Sequence, residues 1–284
     1  MSRVSASLAV WLRGCRGGKA ARRQKPPPAP KLLLFEYEGS PWCRRVREHL
    51  CQLDLKVNMR PCPREVLFSH IGPPIHAEGW HGSKSLFREE VKARGGKLVF
   101  PFLVDDTLGV AMNESGDIVR HLWRHYADGI CEDTDMRPTS SYNLASFKAL
   151  APLEEGVCVQ PPSHVAWKIL DVPTLIAASV LRPLPHHGVM ITPSATPDDG
   201  REITLHGNEA CAGSRLVREA LCTLQIPYVL IPCTQGGAFV SPTGATPYLQ
   251  DGSFLSSDAE EAVKHLFRTY ARGPPLSWWS RKTR

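Results

Sequence analysis

The chain has 284 residues, 42% of them hydrophobic and 22% charged, an ordinary globular composition with room for one large domain or two of about 100 residues. The formal charge of +6 does not point to nucleic acid, because residues 1–30 hold seven Lys or Arg and no acid, leaving −1 for the rest. No run of about 18 apolar residues occurs, which argues against a transmembrane segment.

The basic, acid-free leader at 1–30 contains Ser and Ala and closes on Lys25-Pro26-Pro27-Pro28. That is the composition of an organelle transit peptide, for a chloroplast or alternatively a mitochondrion. The leader is therefore expected to be unfolded and removed; a disordered basic tail is the other reading. Next, the apolar run at 31–37 reads as a buried strand. Ser40 and Pro41 then suit the N-cap and first position of a helix whose inner face carries Val46, Leu50 and Leu53. A second strand at 55–59 completes a right-handed βαβ unit. A helix at 85–93 leads to Phe100-Pro101-Phe102-Leu103, where proline should open a strand, and an amphipathic helix over 115–126 closes the first unit. Residues 131–200 are rich in Pro, Ser and Asp and read as a linker with short helices at 143–149 and 165–170. The apolar stretch at 172–181 within it is a buried element or one resting on a membrane surface.

The first unit then returns. At a fixed offset of 171, residues 31–63 and 202–234 share eleven identities in 33 positions without a gap, among them Glu38, Arg44, Arg47, Glu48 and Cys51 with their counterparts. Val119–Ala127 likewise matches Val263–Ala271. Two copies indicate a duplicated domain, since a solenoid needs at least about three units. The second copy is shorter: 14 positions separate Cys233 from Pro247, against 39 between Cys62 and Pro101, so its middle helix is missing or shrunken.

The motifs SPWCRRVRE, FPFLVD and NESGDIVRHL, in that order, resemble the thioredoxin-like N-terminal domain of glutathione transferases and glutaredoxins. The likeness is closest to tandem plant and algal proteins of plastid type. The implied fold class is α/β, with two tandem thioredoxin-like domains at 31–130 and 201–273, the second shortened, and a tail at 274–284. The resemblance implies glutathione as substrate or ligand, held by Ser40, the backbone of Phe100 before a cis Pro101, and the pair Glu114-Ser115. It places the nucleophile at the leading position of the C-x-x-C motif, which is Ser40 in copy one and Cys211 in copy two. Cys43 takes the inner, resolving position.

Physical chemistry bears on these thiols independently. A thiol at a helix N-terminus gains thiolate character from the positive end of the dipole, which favours both Cys43 and Cys211. Cys43 also falls on the inner face with Val46 and Leu50, where a packed, inert thiol is expected. Ser115 could simply cap the last helix. Cys51 and Cys222 read as core, while Cys62 and Cys233 end matched strands and are open to redox pairing. Nine cysteines without a secretory signal do not make a disulfide framework, and no Cys/His set has metal-site spacing. Three functions remain open: a glutathione-linked oxidoreductase or transferase, a non-catalytic scaffold binding glutathione or a protein thiol, and a membrane-associated isomerase. The all-helical domain that completes a usual glutathione transferase has no room in this chain.

Overall fold

The computed structural model of the chain describes residues 2–12, 17–20, 29–63, 85–95, 97–127, 173–178 and 200–271. In the first copy, strand β1 (Leu32–Glu36) leads into helix α2 (Pro41–Gln52), strand β2 (Val57–Pro61), helix α3 (Arg88–Gly95), the hairpin β3 (Phe102–Asp105) and β4 (Val110–Asn113), and helix α4 (Ser115–Tyr126). The second copy repeats this as β5 (Ile203–Gly207), α5 (Ala212–Thr223), β6 (Tyr228–Pro232), β7 (Tyr248–Asp251), β8 (Phe254–Ser256) and α6 (Ala259–Tyr270). The edge strands β4 and β8 are additions to the sequence reading. The shortening of the second copy is real, as residues 233–247 contain no helix. Of the expected linker only a helical stretch at 173–178 is described, and the helices expected at 143–149 and 165–170 lie outside the described residues.

Both copies have the thioredoxin-like pattern, a parallel pair flanked by an antiparallel hairpin, and together they form a single sheet. The strand order is β4-β3-β1-β2-β6-β5-β7-β8. Its seam is the antiparallel pairing of β2 with β6, in the register Val57↔Leu230, Asn58↔Val229 and Met59↔Tyr228. Each copy also reaches across this seam through a residue in the left-handed region that ends its first helix. Asp54 (φ 49°) accepts from Thr234 Oγ1 at 3.0 Å and Ala238 N at 3.1 Å. Its counterpart Gln225 (φ 55°) accepts from Leu86 N at 2.9 Å.

Helices α2, α4, α5 and α6 pack into one continuous core with Leu34, Met59, Leu205 and Leu230. The opposite face of the first copy buries Leu33, Phe35, Phe102 and Val104 against Val91 of α3. The second copy has no helix between β6 and β7 to match α3, and the strands differ between the copies. β1 (LLLFE) is buried at every residue, whereas β5 (ITLHG) alternates, with Thr204 and His206 half-exposed. In both copies an aspartate ties the hairpin to the last helix. Asp105 Oδ2 pairs with His121 Nε2 at 2.8 Å and accepts from Tyr126 at 2.5 Å; Asp251 meets His265 at 2.7 Å and Tyr270 at 2.8 Å. The repeated block V-x-H-L-x-R-x-Y is thus a repeated anchor.

Charged groups fill the space between α2 and α5. Arg47 and Arg218, both essentially unexposed, form a closed ring with Glu38 and Glu209. Arg47 meets Glu38 at 2.9 Å and Glu209 at 2.8 Å, while Arg218 meets Glu38 at 3.1 Å and Glu209 at 3.0 Å. Each arginine therefore binds the acid of its own copy and that of the other. Glu36, whose counterpart is Gly207, adds a fifth charge through Arg47. The matched thiols close the same interface: Cys222 Sγ accepts from Glu38 N at 3.4 Å, and Cys51 from the Glu209 backbone.

The expectation of an unfolded leader is corrected for its described part. Ser2–Leu12 forms helix α1, which buries Ala9 and Val10 and packs on α5. Gly18 O accepts from Gln235 N at 2.8 Å, and Ala20 N donates back to Gln235 O at 3.1 Å. Ala9 and Val10 seat one face of this helix, while Leu8 and Trp11 are exposed.

Candidate functional site

Ser40 ends the turn after β1, its N–H bonded to Tyr37 O at 3.0 Å. It caps α2 in extended geometry, its Oγ accepting from Cys43 N at 3.3 Å. The Ser40 hydroxyl also reaches the Cys43 sulfur, a hydrogen bond that partly offsets the effect of burial on that thiol. Cys43, one turn inside, is 0% exposed. Burial pushes its thiol up to about 12, and the Glu36 carboxylate adds to the effect.

The Phe100–Pro101 bond is cis. The Phe100 ring stands edge-on to Tyr37 at 6.4 Å, beneath the Arg88 guanidinium at 4.8 Å. Asn113 Nδ2 donates to Val99 O at 2.7 Å, and Asn113 pairs with Phe102, which sets the Glu114-Ser115 corner beside Phe100. Glu114 has φ 70° and ψ 110°, a sparsely populated conformation for a residue with a side chain, and its side chain does not cap α4. Ser115 is 0% exposed, and its Oγ has no hydrogen-bond partner among the described residues. The first turn of α4 thus presents backbone donors and a hydroxyl to a carboxylate-sized guest.

In the second copy Cys211 occupies the place of Ser40. It caps α5 with its sulfur, which accepts from Ser214 N at 3.3 Å and donates to Thr246 O at 3.3 Å. The Thr246–Pro247 bond is cis as well. Cys211 is partly exposed at the start of α5. Ser214, at the position of Cys43, is fully buried.

Gly213 shows how closely the parts converge. A Cβ there would lie 2.7 Å from Pro247 Cδ and 3.3 Å from Ala259 Cβ. The start of α5, the cis-proline and the start of α6 therefore share one corner. The corner differs from its counterpart, however. Ala259 stands where the first copy has Ser115. Asp258, where it has Glu114, adopts φ −89° and caps its own helix, accepting from Glu260 N at 2.7 Å and Glu261 N at 3.0 Å.

The residues expected from sequence thus fall into two clusters. Cys43 and Phe100 share one buried cluster, with Ser40 capping the same helix as Cys43 and Glu114-Ser115 following the strand paired beside Phe100, while Cys211 lies in the second copy. Neither Cys62 nor Cys233 is in a disulfide. Cys62 is fully buried, and Cys233 lies 3.8 Å from His206 Nδ1 with its thiol raised to about 11 by burial. Two features escaped the sequence reading. Asp258 carries a signal in sequence, an Asx followed by two acids before an apolar helix. The shared Arg–Glu ring was visible only as repeat identities. Among the described residues no group of three or more His, Cys, Asp or Glu could hold a metal ion, and no helix is long and apolar enough to cross a membrane.

A family model described as glutathione S-transferase, N-terminal domain, matches the chain over residues 34–129 and 205–275. A search of curated proteins finds no match.

Proposed function

From the premise that the chain belongs to the glutathione S-transferase N-terminal domain family, whose members generally bind glutathione, we propose a glutathione-binding thiol protein with divided labour. The first copy seats glutathione and the second supplies the reactive thiol. The observation that carries this reading is the buried hydroxyl of Ser115, without a partner among the described residues, at the uncapped start of α4. A buried polar group without a partner costs about 1–3 kcal/mol, and a carboxylate arriving there would recover that loss. The γ-glutamyl carboxylate of glutathione is such a group. Its thiolate would accept from the Ser40 hydroxyl, and its cysteine backbone would pair with Phe100. Cys43, fully buried, is assigned to packing.

In the second copy the Cys211 thiolate would attack a disulfide sulfur, forming a mixed disulfide and releasing the other half as a thiol. The reaction class is thiol–disulfide exchange, with a small or protein disulfide as partner. Retention on immobilised glutathione, lost in Ser115→Ala, tests the first half; disulfide exchange, lost in Cys211→Ser, tests the second. Binding without exchange in the wild-type chain would replace this reading by a glutathione-binding scaffold, which the inaccessibility of Cys43 favours. The acid-free composition of 1–30 supports an organelle address, with the chloroplast as first choice. A reporter fused to residues 1–40 should enter plastids, and a cytosolic signal would remove that part of the proposal.

A further inference from the structure

We propose that each copy's site loop is positioned by the other copy: Arg47 and Cys51 of the first set the Cys211 loop, and Arg218 and Cys222 of the second set the Ser40 loop. These four are positioning residues, acting through the loops they hold. The inference rests on the reading of the two corners as a glutathione seat and a thiol site, and it assigns to each corner residues from the opposite copy.

The loop between β1 and α2 runs from 37 to 40, and its counterpart between β5 and α5 from 208 to 211. Each ends on the residue that caps the following helix, Ser40 or Cys211. Each also carries a buried glutamate two positions earlier, Glu38 or Glu209. These glutamates fix the loops by both backbone and side chain, with partners from across the seam. Glu38 N donates to Cys222 Sγ at 3.4 Å, and its carboxylate takes a fork from Arg218, Nε at 3.1 Å and Nη2 at 3.4 Å. The Glu209 backbone donates to Cys51, and the Glu209 carboxylate accepts from Arg47 Nε at 2.8 Å. Each glutamate also meets the arginine of its own copy, so each loop is held between α2 and α5 rather than by the helix it starts. Both turns are closed around the glutamate, Ser40 N donating to Tyr37 O at 3.0 Å and Cys211 N to Asn208 O at 3.4 Å. The anchor is thus passed directly to the capping atom. Charge-assisted bonds of this kind are short and directional, and a reacting group displaced by about 1 Å can lose about 100-fold in rate. The same geometry accounts for the matched thiols. Cys51 and Cys222 read as core in the sequence, yet each sulfur accepts from a backbone donor of the opposite loop, a bond that an apolar residue there could not make.

The test crosses mutation against readout in the full chain. Cys222 lies on α5, the helix that Cys211 caps, and Cys51 on α2, which Ser40 caps. Loss of one hydrogen bond predicts an effect of about threefold to tenfold. In Cys222→Ala the effect should fall on glutathione affinity, measured by titration calorimetry, with Cys211 exchange unaltered. In Cys51→Ala it should fall on exchange with hydroxyethyl disulfide, which forms the Cys211 mixed disulfide and releases mercaptoethanol, with glutathione affinity unaltered. Cys222→Ser and Cys51→Ser keep an acceptor for the backbone N–H and should restore the affected property. A packing defect would instead fall on the site of the same helix, or on both sites, and serine would not rescue it; either pattern overturns the inference. So does the absence of any effect in both alanine variants when thermal melting shows them folded. Should an alanine variant not fold, Arg218→Lys and Arg47→Lys supply the same cross, because lysine keeps the charge and loses the planar fork. A wild-type chain lacking either activity removes the functional reading at that site, and reciprocal positioning with it. A wild-type chain that has both activities without the crossed pattern loses only this inference.

Discussion

At the residue scale, burial separates Cys211 from four other thiols. Cys43 and Cys51 are fully buried and pushed up to about 12, Cys62 is raised further, and Cys222 is 1% exposed. Cys211 is partly exposed at a helix start. At pH 7.5 a small alkylating reagent should modify Cys211 while leaving these four unlabelled until denaturant is added, as read by peptide mapping; early labelling of Cys43 would contradict its packed position. Ser115 offers a second test at this scale. Removing a buried hydroxyl that has no partner among the described residues should leave the melting temperature unchanged or raise it. The same Ser115→Ala change should weaken glutathione binding by about 1.5–3 kcal/mol, the worth of a hydrogen bond to a charged group. The leading thiol could be identified from the motif alone, since N-cap position follows from Cys211-Ala-Gly-Ser214 at the start of an apolar-periodic segment. The unpaired state of Ser115 could not, because it depends on Glu114 adopting φ 70°, which no residue type announces.

At the element scale, chain order was largely legible and chain contacts were not. Apolar runs and helical periodicity locate β1, α2, α4 and α6, since those signals reside within about a dozen consecutive residues. The hairpin strands β4 and β8 are three or four residues long and half-exposed, too short to show a period. Gly213 belongs to this scale, for it sets how closely α5 approaches α6 and the Pro247 loop. Gly213→Ala places a methyl 2.7 Å from a ring carbon that cannot rotate away. Overpacking of this kind costs about 1–3 kcal/mol, against the small gain normally expected from Gly→Ala in a helix. Chemical denaturation should therefore show a lower midpoint for the variant, and a higher midpoint would mean that the corner opens at little expense.

At the scale of the whole molecule, the Arg–Glu ring holds the two copies in register. Arg47→Met would remove a cation from Glu36, Glu38 and Glu209, and breaking a buried ion pair from one side costs about 3–5 kcal/mol. Equilibrium unfolding should detect a loss of that size in Arg47→Met and in Arg218→Met; a neutral result would show that water enters the ring. Glu36 gives the ring a pH dependence. Burial raises its carboxyl from 4.5 to about 7, opposed by Arg47. The folded chain therefore binds this proton more tightly than the unfolded one, so the contribution is full below about pH 4.5 and is lost as pH rises through 7. Glu36→Gln should flatten that decline in a series of unfolding midpoints between pH 5 and 8, and an unchanged slope would assign it to another group.

The seam between β2 and β6 has a consequence for how the copies could diverge. Two separate but identical subunits joined along such a seam would be locked to one sequence, and any exchange of Ser for Cys would appear in both at once. Joined in one chain, each half can change alone while its neighbour keeps it folded. Glu36 can face Gly207, Ser115 can face Ala259, and a serine corner can stand across from a thiol corner without either being copied. The seam permits asymmetry between halves whose ancestry is symmetric, and it fixes their ratio at one to one at every concentration of the protein.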